Sequence, residues 1–193
     1  MRKIQLNDIK DIAAYERMRS SYRPKIMAEK DKRRIHVGPK VTYLFETYDT
    51  MLYQVQEMMR AERIVEDEGI LGEIEAYNEL IPDHNQLSAS MLIEIDDINE
   101  RKGFLSKIIT LPKHCYLSIN GIKVRGEFDP RQGSEDKLSS VQYVKFSLTP
   151  EQAKTFDASS SKVIFGFDHP LYSHEYQLNE NQKATLAGDL KAK

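Results

Sequence analysis

A single cysteine, Cys115, stands in these 193 residues. An internal disulfide is thereby excluded, as are an iron–sulfur cluster and a zinc ribbon built from this chain's own thiolates. Cys115 lies in the strand-like run 114–119 and reads as a small packing residue rather than a nucleophile. Its neighbour His114 falls on the opposite face of a strand and cannot complete a thiol–imidazole pair. No apolar run is long enough to cross a bilayer, and the opening MRKIQLNDIKDI has neither the apolar core nor the cleavage site of a secretory signal. A soluble protein of the cytoplasm is expected. Gly121, Gly126 and Gly133 lack the spacing of a phosphate loop or dinucleotide fingerprint, and no serine stands in G-x-S-x-G. The common nucleotide cofactors and acyl-transfer machinery are disfavoured.

What is present is ordinary in amount and uneven in arrangement. Hydrophobic residues at 40% and charged residues at 30% suit a globular protein, and the length predicts one domain over 1–193, with 1–37 a basic helical extension packed on the body. The net charge of −2 hides a segregation. Residues 1–35 hold eleven Lys/Arg against five Asp/Glu, or +6, and residues 41–100 hold two against fifteen, or −13. Either the two regions neutralise one another, or one of them docks a partner. The segment 17–34, with Tyr15 and Tyr22, has the composition of a nucleic-acid surface. A pI near 6.2 and the absence of any helix-turn-helix, zinc-finger or RNA-binding signature argue against that use.

The chain is organised around residues 41–64, a β-branched and aromatic strand feeding an amphipathic helix that Asp49 is placed to cap. Met51, Leu52, Val55, Met58 and Met59 form one stripe, with Tyr53, Gln56, Glu57 and Arg60 opposite. Glu62 falls inside the stripe, so its carboxylate must reach solvent, find a partner or take up a proton. Before this lie a short helix over 4–14, capped by Asn7 or Asp8, a basic helix over 17–34 that contains Pro24, and a turn at Gly38-Pro39. After it come a helix over 70–80, a strand over 88–95 with Ala89, Met91 and Ile93 on one side, and a helix capped by Asp97 or Asn99.

The second half is mostly strands. Residues 114–119 and 122–128 flank Asn120-Gly121, a strong hairpin signal. A polar loop over 129–140 is long enough to be mobile or to cover a site. Strands follow over 141–148, 162–167 and 174–178, the last at an edge, with short helices after Thr149 and Asn179. The expected class is α+β, an N-terminal helical half packed on a largely antiparallel sheet.

Two histidines, two carboxylates and a tyrosine crowd the segment 168–175. His169 and His174, with Glu62, and with Glu46 or Glu57 nearby, are candidate ligands for iron, zinc or manganese, although the spacing matches no standard metal motif. Both imidazoles could equally be satisfied by backbone carbonyls and neighbouring acids. Glu46, Glu57, Arg60, Asp168 and Glu175 complete the candidate polar site, with Glu46 an acid or base, or simply a turn residue.

The core Phe45, Glu46, Asp49, Thr50, Gln54, Glu57, Met58, Arg60, Glu62 and Arg63, the segment AYNELIP at 76–82 and the turn DHPLYSHE at 168–175 resemble a bacterial family known only as domain of unknown function 3501. The resemblance covers nearly the whole chain and assigns no catalytic residue. It implies genes beside rubrerythrin-like and iron–sulfur oxidoreductase genes, hence an accessory or interaction module of a redox or oxidative-stress system. Such a module would bind a protein partner that carries the cofactor, or a second copy of itself. The alternative is a small metal-binding protein with a His/carboxylate site.

Overall fold

The structure is a computed structural model that describes residues 1–129, 132 and 136–192. Its elements are α1 (Ile12–Lys32), β1 (Arg34–Val37), β2 (Val41–Phe45), α2 (Tyr48–Glu62), α3 (Asp67–Asn78), β3 (Gln86–Ile93), α4 (Ile98–Lys107), β4 (Cys115–Ile119), β5 (Ile122–Arg125), β6 (Glu127–Phe128), β7 (Val141–Ser147), α5 (Pro150–Asp157), β8 (Val163–His169), β9 (Tyr172–Gln177) and α6 (Glu180–Lys191). The class is α+β, with two antiparallel sheets where one was expected. One runs β1-β2-β3-β7-β6 and the other β5-β4-β8-β9. None of the described helices is long and apolar enough to cross a membrane.

The sheets are linked at both edges. The single run expected over 122–128 breaks at Gly126 and passes from one sheet to the other as β5 and β6. A Cβ on Gly126 would stand 2.8 Å from Val144 Cγ2 and 3.0 Å from Cys115 Sγ, so only glycine lets the backbone pass there. At the other edge, the Tyr172 hydroxyl of β9 donates to the Val37 carbonyl at 2.6 Å and accepts the Lys40 N–H at 3.1 Å. The main core fills the space between the sheets. Tyr43 is its centre, its ring 5.7–6.2 Å from those of Phe45, Phe146, Phe165 and Phe167, and its hydroxyl is 2.8 Å from the sulfur of Cys115. Burial pushes that thiol up to about 12, so Cys115 is the inert packing residue its strand context suggests.

The helices α1, α2 and α3 cover the other face of the β2-β3-β7 region around a second core of Ile4, Met51, Val55, Met59, Ile74 and Ile81. Here three expectations are corrected. The helix expected over 4–14 is instead a short turn over Leu6–Asp8 followed by the start of α1 at Ile12, because the Asp8 carboxylate is taken by the Gln5 N–H and Arg2, and Asp11 caps α1. The cap of α2 is Thr47, which exchanges hydrogen bonds with Thr50, and Asp49 lies inside the first turn. Tyr53 and Gln56, placed on the outer face by the wheel, are 5% and 4% exposed. The cause is α1, which lies over that face. Gln56 pairs with both backbone groups of Lys10, and Glu57 receives Arg19 through two bonds of 2.7 and 2.8 Å and the Tyr15 hydroxyl at 2.5 Å. The Arg19 guanidinium holds the Glu57 carboxyl down at about 2. Part of the segregated charge is therefore neutralised inside the fold.

Within 129–140, Leu138 is buried and its N–H bonds the Leu105 carbonyl. Residues 130, 131 and 133–135, and with them the expectation of a mobile cover, lie outside the described residues.

Candidate functional site

Glu62 is exposed. It is the last residue of α2, where Arg63 turns into the left-handed region at φ 57° and the apolar stripe has already run out. The carboxylate thus escapes to solvent, the first of the outcomes open to it.

His169 and His174 share a hairpin, His169 opposite Tyr172 and His174 opposite Phe167, yet they serve different neighbours. The Leu171 N–H donates to His169 Nδ1 at 3.1 Å, which leaves the ring hydrogen on Nε2, 3.1 Å from the Thr110 hydroxyl. Both nitrogens are engaged, and burial, with His114 edge-on at 5.0 Å, holds this imidazole below its ordinary pKa. His174 packs instead against the Tyr172 ring, 4.6 Å away, beneath the Gly38 turn. Among the described residues no group of three or more His, Cys, Asp or Glu side chains could hold a metal ion. His169, His174 and Glu62 are not brought together, and the geometry lends iron, zinc or manganese no support.

The remaining candidates are mostly saturated. Asp168 accepts two bonds from Arg125 at 2.9 and 3.0 Å, one from Lys123 at 3.0 Å and one from His114 Nδ1 at 3.1 Å, and Arg125 above all holds it well below the usual carboxylate range. Tyr116 donates to Glu175 while Lys123 lies 3.8 Å over the Tyr116 ring. Together these clamp the outer surface of β4, β8 and β9. Arg60 pairs with Glu16 of α1.

Glu46 differs. It is 3% exposed, and its carboxyl accepts the hydroxyls of Thr50 and Ser90 at 2.7 Å each, with no cation in contact among the described residues. Burial pushes this carboxyl up. A carboxyl raised in the folded state favours folding when protonated, so stability is lost as pH rises from the unfolded pKa through the folded one. Glu46→Gln keeps the shape without the charge. It is expected to equal the wild type in urea unfolding near pH 4 and to be more stable at pH 7. A variant less stable at pH 7 would show that the ionised carboxylate is what the site holds.

The Glu46 N–H bonds the Ser88 carbonyl, Ser88 lies opposite Lys145, and Lys145 opposite Glu127. A polar row thus crosses the helix-facing side of the sheet and opens into a cleft of about 980 Å³ between α3 and the β6–β7 edge. Tyr77, Leu80, Phe128 and Tyr143 give the cleft apolar walls, and Glu73, Glu75 and Glu127 ring it beside Lys145. Among the described residues none of these three carboxylates has an ion pair, and the buried Ser88 hydroxyl has no hydrogen-bond partner. A smaller hollow of about 620 Å³ adjoins, sharing Glu75 and Lys145. Sequence reasoning missed this site because its walls are some 50–70 residues apart in the chain. The one available signal was the acidic excess of 41–100.

A family described as "Protein of unknown function (DUF3501)" matches residues 3–190. Among solved structures, the chain is similar to a crystal structure of a protein of unknown function from Burkholderia pseudomallei K96243. The two are 26% identical with a TM-score of 0.91, over 98% of this chain and 100% of that one. No curated protein matches.

Proposed function

The chain belongs to the DUF3501 family of proteins of unknown function, and on that premise we propose that it is an interaction module that docks the positively charged segment of a protein partner over the α3 cleft. The observation that carries this reading is where the acids remain unspent. Glu57, Asp168 and Asp189 are each met by an arginine, whereas Glu73, Glu75 and Glu127 line the cleft without one among the described residues. Aromatic walls favour the same occupant, since Tyr77, Phe128 and Tyr143 line the cleft and aromatic rings attract cations. The gene context implied by the family resemblance makes a rubrerythrin-like protein or an iron–sulfur oxidoreductase, carrying its own cofactor, the first partner to try.

A fluorescent decalysine peptide serves as the probe. Its affinity is expected to fall about tenfold when Glu73, Glu75 and Glu127 are replaced together by Gln, and further as salt shortens the Debye length. The control variant Asp96→Asn/Glu151→Gln/Glu180→Gln carries the same charge change elsewhere. Equal weakening by both triple variants would reduce the effect to net charge and remove the cleft from the reading.

A further inference from the structure

The basic charge of α1 is divided. Arg19 and Arg33 point inward to Glu57 and Asp189. Arg17, Arg23 and Lys25 are exposed, with no ion pair among the described residues, on a surface whose other members include the small Ser20, Pro24 and Ala28. The outward stripe of α3 is its complement. Glu68, Leu71, Gly72, Glu75 and Ala76 are all exposed, Leu71 by 49%, and a Cβ built on Gly72 would meet nothing within 4 Å. Both faces have small residues at their centre, which is what lets two helices approach to an axial separation of about 8–10 Å. Their charges are also matched in spacing. Arg17 and Lys25 lie about 12 Å apart along α1, and Glu68 and Glu75 about 10.5 Å apart along α3, at 1.5 Å per residue.

We infer that α3 seats the α1 helix of a second copy of this chain. The inference rests on the reading of the α3 surface as a dock for positive charge, and it names the occupant. The α1 and α3 helices both pack on α2, and a two-fold axis that lays α1 of one copy on α3 of the other repeats the same contact in reverse. The result is a closed dimer with two identical contacts rather than an open chain. In that dimer the rim of the cleft is covered, and a heterologous basic partner must compete with α1 for it.

The test is the mass of the whole protein by light scattering after size exclusion, at about 50 mM and about 500 mM salt. Twice the 22.4 kDa chain mass is expected at low salt, shifting toward the single chain at high salt. Arg17→Glu/Lys25→Glu and Glu68→Lys/Glu75→Lys are each expected to be monomeric, to melt in one cooperative transition and to lose the dependence of Tm on protein concentration. Mixed in equal amounts they are expected to dimerise again, because both contacts in the mixed pair are once more between opposite charges. A monomeric wild type at low salt, a dimer that neither variant loosens, or a mixture that stays monomeric would each overturn the inference. If the wild type is monomeric yet the decalysine probe still binds through Glu73, Glu75 and Glu127, the dimer falls and the docking surface stands. Loss of both overturns the two together.

Discussion

Replacing Gly38 by alanine is expected to cost about 2–4 kcal/mol, because it adds backbone strain to a steric collision. Gly38 turns β1 into β2 at φ +74°, a region unfavourable to any residue with a Cβ. That Cβ would also stand 2.6 Å from His174 Cγ and 2.7 Å from the Tyr172 hydroxyl oxygen. The hydroxyl cannot retreat freely, since it ties the Val37 carbonyl and the Lys40 N–H and so joins the edges of the two sheets. In a chain of this length the loss corresponds to a drop in Tm of about 5–15 °C. Gly121 is the internal control. Its φ is +89°, but nothing lies within 4 Å of its would-be Cβ, so Gly121→Ala should cost only about 1 kcal/mol of backbone strain. Urea unfolding of both variants separates strain from collision, and adding His174→Ala to Gly38→Ala should return part of the loss. Equal effects at the two glycines would mean that the β1–β2 turn is not held against β9.

Asp189→Ala is expected to destabilise the fold by about 3–5 kcal/mol, because it strands a buried cation. Arg33, at the junction of α1 and β1, gives Asp189 of α6 two bonds of 2.8 and 2.9 Å, and their side chains are 12% and 9% exposed. Glu29 also reaches Arg33, at 2.9 Å, so the guanidinium is not left wholly alone and the cost sits toward the lower end of the range. Burial pushes the Asp189 carboxyl up against the pull of Arg33, which is the mark of a pair whose desolvation offsets much of its attraction. It follows that replacing both residues, as Arg33→Met/Asp189→Leu, should be milder than Asp189→Ala alone. A double variant worse than the single one would show that the pair is stabilising beyond its own desolvation.

The strength of these two effects lies in contacts between residues over a hundred positions apart, and that distinction separates what was legible from what was not. Several signals confined to a few residues were read correctly, although the cap expected at Asp49 falls to Thr47 and the helix expected over 4–14 does not form. Asn120-Gly121 turns the β4–β5 hairpin with positive φ at both residues. Asp97, Thr149 and Asn179 cap the helices that follow them. The alternation of Ala89, Met91 and Ile93 faces the main core. The whole-chain resemblance was legible too, carried by local motifs that match the family over residues 3–190.

Of the candidate site, the sequence had the residues but not their neighbours. Glu62 lies on the apolar stripe by periodicity, yet an α-helix wheel contains no information on where the helix stops relative to its cover. His169 and His174 stand five positions apart, but each ring is claimed by a segment far away, Thr110 for one and the Gly38 turn for the other. Glu46 was singled out, while its burial depends on Ser90 and Thr50 closing over it.

By itself, then, the sequence determined the class of fold, the Asn120-Gly121 turn, the helix starts at Asp97, Thr149 and Asn179, the packing role of Cys115 and the family, because propensity, capping and alternation act within one turn or one strand. The tertiary structure alone decided that there are two sheets, that α1 buries the polar face of α2, and that α3 and the β6–β7 edge enclose an acidic cleft. The physical reason is that strand order, register and helix docking are set by the burial of whole faces against one another, and no local window contains both faces.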